Sequence, residues 1–237
     1  MRNYNIFAKR CTTWLKHQIK NAGAKGIIIG LSGGIDSAVV AVLSKKAFGK
    51  SVLALNLPCV SSNHDLNDAR LITQTFRIKT RTFDLSKIFN TLIKSLPLAD
   101  QNTRANLKPR LRMMILYYFA NQLNYLVAGT GNKSELMTGY FTKHGDGGVD
   151  LLPLGGLLKT EVKELAHYLK IPARIINKPP SAGLWSGQTD EGEMGIKYHE
   201  LDAILNGPTK FRTKRDKVKQ LIKNSAHKRQ LPKIFIP

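Results

Sequence analysis

The string SGGIDS, residues 32–37, places two serines, two glycines and one carboxylate directly after the apolar run GIIIGL. Adjacent glycines let a backbone approach phosphate oxygens, and Ser32, Ser37 and the N–H groups of a following helix are donors for such an anion. Asp36 conflicts with that use, because a carboxylate repels phosphate. A divalent cation between the two turns repulsion into a bridge, so the misfit itself implies Mg²⁺. Read alone, Asp36 is equally a helix cap and the glycines a tight βα turn. The string is neither a Walker A loop, which needs a terminal Gly-Lys-Ser/Thr, nor the GxGxxG dinucleotide fingerprint.

Five further stretches carry chemistry: NLKPRLRM (106–113), GTGNKSE (129–135), GYFTKHGDGGVDLLPLGGLLKTEV (139–162), PPSAGLWSGQTDEGEMGIKYHELD (179–202) and HKRQLP (227–232). With SGGIDS they resemble the ammonia-dependent NAD synthetases of the ATP pyrophosphatase (PP-loop) superfamily along almost the whole chain. The resemblance implies a ligase that amidates nicotinic acid adenine dinucleotide (deamido-NAD). Its substrate carboxylate attacks the α phosphate of ATP, and ammonia then displaces AMP from the acyl adenylate. By the same resemblance Asp36 and Glu135 carry Mg²⁺ and, with Lys159, form the catalytic set. ATP is expected on Gly30, Leu31, Ser32, Gly33, Gly34, Ile35, Asp36 and Ser37, with Thr130, Lys159 and Ser181. Deamido-NAD is expected on Arg110, Lys143, Asp150, His227 and Lys228. A homodimer with substrate near the subunit interface is implied as well.

Each of these residues has a plainer reading: Lys159 as an exposed helix-start lysine, Arg110 as a solvated helix face, His227 and Lys228 as a basic tail. Three positions depart from the family pattern. His144 stands where an aromatic is expected, Pro109 in an alanine-like slot and Gly156 in place of an acid. The TDEGE stretch reads as an acidic loop, with no catalytic role for Asp190 or Glu191. Met113, Met114, Tyr117 and Tyr118 read as helix packing. His64, His144, His167 and His199 lack zinc spacing, and no Ser/His/Asp order emerges. Free ammonia is the expected nitrogen source, since the chain has no room for a hydrolase domain. The rivals are another PP-loop ATP pyrophosphatase, such as a tRNA-modifying ligase, and a non-catalytic nucleic-acid binder.

The elements that must position these residues alternate. IIIGL, SVLALNL, IKTRTFDL and YLVAGT read as strands, and SAVVAVLSKKAFGK, a segment capped by Asn63 or Asp65 through Phe76, SKIFNTLIKSL and Asn106–Asn124 as helices. Continuous apolar strands separated by helices predict an α/β fold, a doubly wound parallel sheet flanked by helices, and the resemblance implies that it is of the adenine nucleotide alpha hydrolase-like type. Further helices are expected over Leu158–Leu169 and Ile196–Leu205. Ile6, Phe7, Trp14, Leu15 and Ile19 mark one face of an N-terminal helix rather than a signal segment. One domain, residues 1–237, is expected.

The chain has 37 Lys and Arg against 16 Asp and Glu, a net charge of +21, which favours anionic partners. Nonspecific nucleic-acid binding is compatible with that excess and not required by it. No apolar run approaches the roughly 20 residues a membrane span needs. With only Cys11 and Cys59, unpaired by spacing, a reduced cytoplasmic protein is expected.

Overall fold

The computed structural model describes residues 2–185 and 187–235. Its strands are β1 (Gly26–Gly30), β2 (Val52–Asn56), β3 (Thr80–Thr82) and β4 (Tyr125–Val127). In chain order the helices are α1 (Tyr4–Asn21), α2 (Ile35–Phe48), α3 (Asn63–Thr75), α4 (Ser86–Ser95), α5 (Gln101–Ala105) and α6 (Leu107–Leu123). They continue with α7 (Lys133–Thr138), α8 (Lys159–Tyr168), α9 (Ala173–Ile176), α10 (Asp190–Met194), α11 (Tyr198–Leu205) and α12 (Arg215–Asn224).

Ile27, Ile28 and Ile29 of β1 are all fully buried, which a strand achieves only when both faces of its sheet are covered. Side chains alternate across a strand. Ile27 and Ile29 therefore enter one core with Val52 and Ala54, and Ile28 enters a second with Leu53 and Leu55. Helices α1, α2 and α8 close the first core; α4 and α6 close the second. Each fully buried Leu or Ile contributes about 1.5–3 kcal/mol. The sheet is all parallel in the order β3-β2-β1-β4, with Ile27 opposite Val52 on one side and Leu126 on the other. The order reverses between β1 and β4, and beyond the carboxyl ends of those strands a doubly wound sheet leaves a crevice.

Helix α2 is buried over Ser37–Ser44 without interruption, because SAVVAVLS has no charged face and the helix lies between α1, α8 and the sheet. In α1 the buried stripe is Ala8, Cys11, Leu15 and Ile19, with Phe7 packed against it; Ile6 and Trp14 point outward, against expectation. The cap of α3 is Ser62, whose hydroxyl accepts the Asp65 N–H, and neither Asn63 nor Asp65 takes that place. Pro109 is the third residue of α6, where the missing N–H has no intrahelical acceptor. Met113 is buried, but Met114 and Tyr118 are 67% and 62% exposed, so the expectation of core packing fails for both. Helical spacing identifies a stripe without saying which stripe meets the sheet. The basic C-terminal stretch is not a tail. It forms α12, whose Val218 joins Met194, Ile196, Tyr198 and Leu201 in a third apolar cluster. Cys11 and Cys59 are free and buried.

Candidate active site

Strand β1 ends at Gly30, and four residues separate it from α2, with Gly34 as the N-cap and no side-chain cap. The first N–H groups of a buried helix are thereby left for a ligand, and they favour an anion. The loop is held from within. Ser37 Oγ donates to the Gly34 carbonyl (2.9 Å) and accepts the Ser32 N–H (3.3 Å), while Ser32 Oγ accepts the Gly34 N–H (3.3 Å). Gly33 has φ +80°, and a Cβ there would lie 2.4 Å from the Asp65 carbonyl oxygen. Only glycine fits, because the loop is pressed against the start of α3.

Asp36, in the first turn of α2, faces α7 and α8. Its Oδ1 accepts Asn132 Nδ2 (3.0 Å), and its Oδ2 accepts Lys159 Nζ (2.5 Å). Asn132 is fully buried and caps α7 reciprocally with Glu135: Asn132 Oδ1 accepts the Glu135 N–H (3.1 Å), and Glu135 Oε2 accepts the Asn132 N–H (3.2 Å). Glu135 Oε1 remains for Lys159 Nζ, at 3.1 Å. The lysine backbone is fixed too, since its N–H donates to Ser134 Oγ (3.0 Å), which itself donates to Asp202 (2.5 Å). Burial pushes the Glu135 carboxyl up to about 7; the Lys159 charge opposes this, and Asp36 and Asp190 add to it. For Lys159 burial alone would lower the ammonium, but Asp36 and Glu135 overcome it and hold it above lysine's ordinary range.

These groups open into a cavity of about 540 Å³ at the β1/β4 switch point. Of the residues anticipated for ATP, Gly30, Leu31, Ser32, Gly34, Ile35, Asp36, Ser37, Thr130, Lys159 and Ser181 line it, and Gly33 does not. Of those anticipated for deamido-NAD only Lys228 lines it, with its Nζ donating to the carbonyls of Gly139 (2.7 Å) and Phe141 (2.8 Å). Arg110, Lys143 and His227 are brought together outside the cavity. Arg110 Nε donates to the Lys143 carbonyl (3.4 Å), and Lys143 Nζ to the His227 carbonyl (2.9 Å). Asp150 stands apart from them, its carboxylate accepting Tyr117 OH (3.0 Å) and the Val127 N–H (2.7 Å) at the end of β4.

Several cavity residues escape sequence reasoning. Arg112 lines the cavity with Nε on the Leu57 carbonyl (3.0 Å) and Nη2 on Ser61 Oγ (3.4 Å), a partly buried cation in the field of Asp146 and Asp65. Its signal was the second arginine of NLKPRLRM. Asp190, read as part of an acidic loop, is 4% exposed and lies beside Glu135. Its Oδ2 accepts Tyr198 OH (3.0 Å), its Oδ1 has no hydrogen-bond partner among the described residues, and burial pushes its carboxyl up. Lys178 ties the 178–185 segment, which lines the cavity, to α3 through Asp65 (2.6 Å) and Asp68 (2.7 Å).

Two carboxylates from separate elements converging on one cation are hard oxygen donors of the kind Mg²⁺ accepts, completed by phosphate oxygens and water. A glycine-serine loop at the switch point of a parallel sheet, with paired acids and a lysine at its mouth, defines the PP-loop class of α/β enzymes.

Comparison with known proteins narrows the class. The pattern of the NAD synthase family matches residues 7–232. An NH(3)-dependent NAD(+) synthetase of Carboxydothermus hydrogenoformans is 48% identical, over 98% of both chains. Among solved structures, an NMN synthetase from Francisella tularensis superposes with a TM-score of 0.92 at 38% identity, covering 99% of each chain. An NH3-dependent NAD synthetase from Campylobacter jejuni superposes at 0.83 with 29% identity over 100% of each. The chain belongs to the NAD synthase family, and as a ligase of that family it is set apart from the tRNA-modifying and non-catalytic alternatives.

Proposed function

We propose that the chain amidates deamido-NAD with ammonia, using ATP, through an acyl adenylate, as the last step in making NAD. The observation that carries the reading is the convergence of Asp36, Glu135 and Lys159 at the mouth of the phosphate-binding loop inside one cavity. The N–H groups of α2 and the Lys159 ammonium hold the triphosphate, while Asp36 and Glu135 would hold Mg²⁺. When bound, the metal neutralises the charge that accumulates as a second anion approaches the α phosphate. Arg112 and Lys228, cations lining the same cavity, attract the substrate acid. The substrate carboxylate oxygen bonds to the α phosphorus as pyrophosphate leaves. Ammonia then forms the C–N bond, the C–O bond to AMP breaks, and a proton goes to solvent.

Purified protein incubated with ATP, Mg²⁺, ammonium and deamido-NAD is expected to yield NAD, AMP and pyrophosphate in equal amounts. Asp36→Ala is expected to lose about 100-fold or more of that activity with its circular dichroism unchanged. Amidation of an unrelated acid in place of deamido-NAD overturns the reading. A second reading takes the corresponding mononucleotide acid as acceptor, favoured by the similarity to the Francisella NMN synthetase. The ratio of kcat/KM for dinucleotide and mononucleotide acids, measured in competition, decides between them.

Arg110, Lys143, Asp150 and His227 serve the outer half of the acceptor on this reading, on the α6 side of the molecule, beside exposed Met114 and Tyr118. That apolar face supports a homodimer, with exposed Phe83 near it, its ring and that of Tyr118 both against Phe119. Residues 1–237 then act as one catalytic unit. No helix among the described residues is long and apolar enough to cross a membrane, and two buried free thiols support a cytoplasmic setting.

A further inference from the structure

We propose that Lys159 is a stand-in cation: without ligands its ammonium holds the point between Asp36 and Glu135, and it changes partner when metal and nucleotide enter together. The inference rests on the reading of Asp36 and Glu135 as metal ligands. Both carboxylates are fixed without the lysine's help, Asp36 by Asn132 Nδ2 (3.0 Å) and Glu135 by the Asn132 N–H (3.2 Å). Two acids held this close in a largely buried place repel each other unless a positive charge sits between them. Lys159 supplies it at 2.5 Å and 3.1 Å from the two oxygens; the residue is 8% exposed, and its Nζ lies 5.1 Å from the centroid of the Tyr198 ring.

A divalent ion that takes the same two oxygens cannot share the point with an ammonium, since like charges a few ångströms apart in such a place repel strongly. The lysine must leave, and in a cavity without nucleotide the other acid near it is Asp190, which already accepts Tyr198 OH and whose burial favours its neutral form, so it is no equal of the pair given up. A triphosphate in the loop is such an equal. Metal alone therefore competes with a bound cation, whereas metal with nucleotide exchanges one ion pair for another. Coupling of this kind is reciprocal, so each ligand tightens the other. The consequence is an enzyme that resists loading its acids with free metal.

The test is the affinity of Mn²⁺ alone, read by electron paramagnetic resonance, for the wild type and Lys159→Met. The variant is expected to bind at least about tenfold more tightly, and adding Asp36→Asn is expected to abolish the gain. Equal affinities overturn the stand-in role. No binding by Lys159→Met at millimolar Mn²⁺ instead removes Asp36 and Glu135 as metal ligands, and the proposal with them. Should the variant not fold, ¹⁵N NMR of the Lys159 ammonium in the wild type replaces it. That resonance is expected to shift on saturation with Mg²⁺ and ATP, and an unmoved signal overturns the proposal.

Discussion

Glu135 is asked to do two things with one carboxylate: Oε2 closes the cap of α7, and Oε1 faces the cavity cation. Its carboxyl, raised by burial from 4.5 to about 7, makes it a pH-sensitive part of the ligand-free protein. A group whose folded pKa lies above its unfolded value stabilises fully below the unfolded value, and that contribution is lost as pH rises through the folded one. Between roughly pH 4.5 and 7 that contribution therefore falls as pH rises. Glu135→Gln keeps the size and an oxygen acceptor but does not titrate. Urea unfolding without metal is expected to show a flatter stability profile for the variant over that interval. A slope identical to the wild type's would remove Glu135 as the titrating group.

At the scale of elements, the loop between β1 and α2 depends on its contact with α3. Gly33→Ala combines a left-handed φ of +80° with a Cβ 2.4 Å from a backbone oxygen that cannot rotate away. It is expected to cost about 2–4 kcal/mol, read as a lowered midpoint in thermal or urea unfolding. β1, α2 and β2 were legible in the sequence because a strand covered on both faces must be apolar throughout, and IIIG and VLAL are. Asp36, Glu135 and Lys159 were legible as residues through their motifs; that one ammonium joins both acids was not, since it depends on side chains 123 and 24 positions apart. Asp190 was illegible for a different reason. A charge-rich string reads as solvated, and only the packing of Met194, Ile196 and Tyr198 against α11 and α12 draws α10 inward. Met114 and Tyr118 were misread because a long helix with apolar residues nearly all round does not declare its outer side.

For the whole molecule, the homodimer proposed above is expected to use the exposed face of α6. Replacing Met114 and Tyr118 together by glutamate leaves both cores untouched, because neither side chain enters them. Light scattering is expected to give a dimer for the parent chain and a monomer for the double variant; a dimer in both moves the interface elsewhere. The continuous burial of α2 has a consequence of another kind. Amide protons along Val39–Leu43 should exchange with deuterium only when the whole domain opens, so the phosphate seat is as long-lived as the fold that carries it. Protection gained from nucleotide should then concentrate in the 178–185 segment, which is fastened to α3 through Lys178. The enzyme thus keeps a permanent floor beneath its substrate and leaves adjustment to the roof.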